Sequence, residues 1–98
     1  MPKTIGRVET ANSSKYLQQL CKHFAHKITV EHDTHSGRAE FSLGTATLKA
    51  DDDVLTVEFD LNSAEDTAMA HRVIDSHLEK FAFREQITGL DWSTPAAG

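Results

Sequence analysis

Six histidines and a single cysteine in 98 residues define the chemistry this chain could offer. Imidazole can ligate a metal, carry a proton near neutral pH or hydrogen-bond as a neutral ring. Three candidates lie close together, Cys21, His23 and His26. On a helix advancing about 100° per residue, Cys21 and His23 point about 160–200° apart and cannot share an ion, whereas His23 and His26 share a face. His23 and His26 are therefore the metal candidates for a transition ion, with His32, His35 or a second subunit completing the shell. Helical chelation usually uses an i, i+4 pair. The plainer reading, flank residues of an amphipathic helix, carries more weight, and no cofactor is expected.

His77 differs because it falls inside an apolar stripe made by Ala70, Val73, Ile74, Leu78 and Phe81. A ring there must find a partner, either a backbone carbonyl or hydroxyl or a bound ligand. Arg84 lies one heptad further on and shares that face if the helix persists. The expected ligand-binding set is His77, Arg84, Phe81, His23 and Tyr16, framing a pocket for an anion or small molecule between the second helix and the sheet. Asp51-Asp52-Asp53 lacks the spaced oxygens and closing glutamate of a calcium loop and reads as a hairpin turn. Cys21 beside Lys22 could have a lowered pKa, but no Cys-His-Asn arrangement can be assigned and packing is the simpler role. No phosphate-cradling loop, nucleophile elbow or catalytic carboxylate pair occurs. No residue is put forward as catalytic, and the chain reads as a binding protein rather than an enzyme.

Composition narrows the partners. A net charge of −5 with scattered basic residues disfavours nucleic acid. No apolar run approaches the ~20 residues of a membrane span, the N-terminus lacks an apolar leader, and one cysteine cannot form an internal disulfide. A cytoplasmic setting is expected, with a small molecule or another protein as partner, and a homodimer as an alternative that needs no small ligand.

These residues need elements to hold them. Thr4 to Glu9 alternate weakly, as a short strand at a sheet edge would. Asn12 and Ser13 precede Tyr16, Leu17, Leu20 and Phe24, which predicts a helix to about His26. From Ile28 the apolar period becomes two, through Val30, then Ala39 and Phe41, then Ala46, Leu48 and Ala50, then Leu55, Val57, Phe59 and Leu61. Asn62 with Glu65 reads as a capping box ahead of a long helix extending to about Arg84. The expected fold is α+β, a single antiparallel sheet of four to five strands in the order β-α-β-β-β-β-α. Both helices should cover one face, because Glu31, Arg38, Glu40, Lys49, Glu58 and Asp60 occupy the other. One domain spans residues 1–98, ordered from about 4 to 92, with a flexible tail at 93–98.

Two stretches, Leu20-Cys21-Lys22-His23-Phe24-Ala25-His26-Lys27 and His77-Leu78-Glu79-Lys80-Phe81-Ala82-Phe83-Arg84-Glu85, resemble the signature segments of a bacterial family catalogued as domain of unknown function 2218. The likeness runs from about Arg7 to Trp92. It implies an accessory role in iron–siderophore handling, with a siderophore-interacting reductase as partner. On this sequence the matching positions are His23, His26 and His77, with Arg84 alongside. Lys80 stands where the family pattern has arginine, which weakens any bidentate contact there.

Overall fold

Period-two alternation and two apolar helical stripes produce two layers in the computed structural model, which describes residues 3–51, 53–82, 85, 87 and 89–93. Among the described residues there are six strands and two α-helices: β1 (Lys3–Glu9), α1 (Ser13–Phe24), β2 (Thr29–His32), β3 (Ser36–Phe41), β4 (Gly44–Asp51), β5 (Val54–Leu61), a 3-10 turn (Ala64–Asp66), α2 (Thr67–Phe81) and β6 (Asp91–Ser93). The strands form one antiparallel sheet in the order β2-β3-β4-β5-β1-β6.

The inner face carries Ala39, Ala46, Leu48, Ala50, Leu55, Val57 and Phe59, all buried. Leu17, Leu20 and Phe24 of α1 and Ala70, Ile74 and Leu78 of α2 join the same core. Both helices therefore lie on one side, and each fully buried Leu or Ile contributes about 1.5–3 kcal/mol relative to exposure. Small residues at Gly37, Ala39 and Ala46 bring α1 close to the sheet. A methyl group at Gly37 would meet the Cys21 sulfur at 2.6 Å. Gly44 opens β4 with φ +151°, and a side chain there would strike the Asp60 carbonyl, so glycine is required at this corner. The outer face is polar, with Lys3 paired to Glu58 at 2.7 Å.

Several expectations are corrected. The sheet has six strands rather than four to five, because Asp91–Ser93, to which no strand was assigned from periodicity, pairs as β6 along β1 through Gly6 and Trp92. For the same reason β1 is interior, not an edge. Ser93 belongs to β6, while residues 94–98 lie outside the described residues. Helix α1 stops at Phe24, two residues early, where Ala25 N–H closes the last turn on the Cys21 carbonyl. Helix α2 ends at Phe81, not at Arg84. Ser63, not Asn62, supplies the cap, accepting from the Glu65 N–H, while the Asn62 amide donates to the Ser42 carbonyl. No described helix is long and apolar enough to cross a membrane.

Candidate functional site

Helix α2 is gripped along both flanks. With about 100° per residue, His77 lies about 60° to one side of the buried Ile74, and Asp75 about 100° to the other. The two flanks meet different neighbours: His77 faces α1, while His71 and Asp75 face β6.

On the α1 side, the rings of His23 and His77 lie 4.5 Å apart between centroids. Phe24 meets His77 edge-on at 5.0 Å and Phe41 at 5.0 Å, and Phe81 closes the far side at 6.1 Å from His23. His77 Nδ1 lies 2.6 Å from the Val73 carbonyl oxygen. A carbonyl only accepts, so Nδ1 carries the hydrogen and, in the neutral ring, Nε2 keeps a lone pair. His77 is half-buried and His23 is exposed, so the pair sits at the mouth of the helix seam. Desolvation, followed by the charges of His77, His26, Lys27 and Lys80, holds His23 below the ordinary histidine pKa and favours its neutral form.

Gln19 lies one helical turn before His23 on α1. Tyr16, Gln19 and His23 follow i, i+3, i+7 spacing, which places them along one face of α1. The Gln19 Oε1 atom is buried and finds no hydrogen-bond partner among the described residues. Leaving a buried amide oxygen unpaired costs about 1–3 kcal/mol, so such an atom needs an explanation. At the N-terminal end of α1, buried Tyr16 donates to the Glu85 carboxylate, which also accepts from Thr10 Oγ1 at 3.0 Å. That carboxylate is held below its ordinary range, chiefly by the Tyr16 hydrogen bond, and burial raises the Tyr16 phenol.

The opposite flank fastens the C-terminal strand. Asp75 accepts from the Leu90 N–H and from Trp92 Nε1, each at 2.9 Å. His71 stacks on Trp92 at 4.2 Å and 17°. Thr4 Oγ1 donates to the Ser93 carbonyl at 3.2 Å, and having spent its single hydrogen must accept from His71 Nε2 at 2.8 Å. An open cavity of about 700 Å³ lies beyond this flank, where Arg7 stands among Glu9, Asp91 and Ser93.

The structure thus brings His23, His77 and Phe81 together and places Tyr16 in the separate pairing with Glu85. Arg84 lies outside the described residues. His77 has the carbonyl partner foreseen in the plainer reading, and its Nε2 has no hydrogen-bond partner among the described residues. His26 follows the end of α1, exposed, and His32 and His35 occupy the β2–β3 hairpin; among the described residues no three His, Cys, Asp or Glu side chains gather as a metal would require. Cys21 is fully buried, and desolvation pushes its thiol up to about 11, against any nucleophilic role. Gln19, His71 and Asp75 were not singled out from sequence. The i, i+4 spacing of His71 and Asp75 was visible, but β6, which makes it meaningful, was not.

A family model described as "Uncharacterized protein conserved in bacteria (DUF2218)" matches residues 5–93. Among solved structures, the NMR structure of PA4090 from Pseudomonas aeruginosa superposes with a TM-score of 0.78 at 26% identity, covering the whole of both chains. No curated protein matches the chain.

Proposed function

The chain belongs to this bacterial family of uncharacterized proteins (DUF2218), and from that premise we propose that it is a non-catalytic binding module whose ligand seat is the mouth of the α1–α2 seam. The observation that carries this reading is the pair of ring acceptors there without a partner among the described residues, the His77 Nε2 lone pair left by the Val73 bond and the adjacent His23 ring. Acceptors without donors call for a ligand that brings O–H or N–H groups, and the aromatic rim of Phe24 and Phe81 offers a flat ligand something to lie against.

Catechols, with two adjacent hydroxyls on a planar ring, and hydroxamates, with an N–O–H beside a carbonyl, bring such donors on a small planar frame. They are also the iron-binding groups of siderophores, so the seat fits an accessory role in iron–siderophore handling, in contact with a siderophore-interacting reductase. Titrating 2,3-dihydroxybenzoate and acetohydroxamate, both free of metal, into the labelled protein tests the reading. The ring resonances of His23 and His77 should shift together and saturably, while those of His32 and His35 stay in place. Shifts confined to other histidines, or none up to millimolar ligand, would overturn it.

A further inference from the structure

The mouth of the seam is a basic island on an acidic chain. We propose that its ligand is an aromatic acid, with the ring laid against Phe81 and His23, the carboxylate drawn by the ammonium groups of Lys27 and Lys80, and a hydroxyl turned to the imidazoles. This rests on the seam being the ligand seat, and it adds the charge and class of what sits there.

The first support is the sign of the field. The chain holds 15 acidic side chains against 10 lysines and arginines, so most basic groups should have acidic neighbours. The groups whose charge bears on His23 are His77, His26, Lys27 and Lys80, drawn from α2, from α1 and from the turn after it, and none of them is a carboxylate. The second is that these ammonium charges are not spent inside the protein. Lys27 and Lys80 are exposed, and neither forms an ion pair among the described residues, whereas Lys3 pairs with both Glu58 and Asp60. Lys80 does oppose the dipole of α2 from its last turn, which accounts for one cation but not for the convergence of cations from two elements.

The third support is the aromatic surface beside them. His23 is exposed and Phe81 half-buried, edge to face at 6.1 Å. A planar acid carries its negative charge in the plane of its ring, so a ring lying on this surface keeps its carboxylate at the wet rim, within reach of long lysine stems. An anion there also relieves the basic crowding that disfavours the charged form of His23.

Catechol and 2,3-dihydroxybenzoate differ by the carboxylate alone, and titrating each into the full chain at low salt, with the His23 and His77 rings followed by NMR, tests the proposal. The acid should bind about 5-fold to 10-fold more tightly, as two exposed charge pairs allow, and about 0.3 M sodium chloride should remove most of that difference. Lys27→Gln and Lys80→Gln should each weaken the acid about 3-fold and leave catechol unchanged; both sites are exposed, so the variants keep the fold. Saturating acid should raise the pH at which the His23 ring titrates, and catechol should not. Equal affinity of the two compounds, or acid affinity untouched in the double variant, would overturn the inference and leave the ligand seat standing. Inorganic phosphate binding as tightly as the acid would overturn the aromatic class. If neither aromatic compound shifts the two rings, the inference and the seat fall together.

Discussion

Replacing Asp75 by alanine should loosen the C-terminal strand before the rest of the molecule. Strand β6 has only three residues and pairs with β1 at three positions, too few for backbone bonds alone to hold it. Besides the His71–Trp92 stack and the Thr4 bond to Ser93, its anchorage comes from the Asp75 carboxylate, which accepts from Leu90 N–H and Trp92 Nε1. Each hydrogen bond to a charged group is worth about 1.5–3 kcal/mol, which gives an upper range of about 3–6 kcal/mol for the two donors. Asp75 is only half-buried, and β6 can escape the penalty by undocking, so the expected loss is about 2–4 kcal/mol. Trp92 is the chain's one tryptophan, so its fluorescence reports on this strand directly. In Asp75→Ala the native emission should already be red-shifted without denaturant, and its urea transition should precede the loss of far-UV circular dichroism. Asp75→Asn keeps one carbonyl acceptor and should fall between the two. Native emission unchanged, with stability within about 0.5 kcal/mol of the parent, would refute the reasoning.

Two further outcomes follow from buried and seam groups. His71 is held below its ordinary pKa by desolvation, with Asp75 opposing, and His23 is lowered as well; a histidine with a depressed folded pKa adds stability that is complete above its unfolded value of about 6.5 and lost as pH falls through the folded value. Urea midpoints should therefore drop between pH 7.5 and 5.5, and His71→Gln should flatten part of that slope; a midpoint that rises on acidification would contradict it. Cys21 should resist iodoacetamide in the native protein and react only at the rate of opening, because its sulfur is sealed against Gly37; rapid native alkylation would show that the contact is not closed.

Much of the fold was legible because two periodicities, about 3.6 and 2, run long enough to be read without ambiguity from Tyr16 to Phe24, Val30 to Leu61 and Ala70 to Leu78. The inside–outside alternation of β3 to β5 and the shared side of the helices follow from them. Strand β6 was not legible: Asp91-Trp92-Ser93 has one apolar residue, and what recruits it is a carboxylate on α2, a tertiary contact with no local signature. The sharing of a mouth by His23 and His77 was equally hidden. Their types marked both as candidates, but convergence depends on how two helices cross, and the missing donor at Gln19 is a property of packing alone.

The bare side of the sheet has a consequence for divergence. Along β4 and β5, Thr45, Thr47, Lys49, Thr56 and Glu58 answer to water, while the residues between them answer to the helices. Every second strand position can thus drift among polar types without disturbing the backbone trace. A Pseudomonas aeruginosa chain sharing about a quarter of its residues can therefore follow the same path from end to end. A shift of one residue in strand pairing has no such latitude, since it would turn the whole greasy set outward at once.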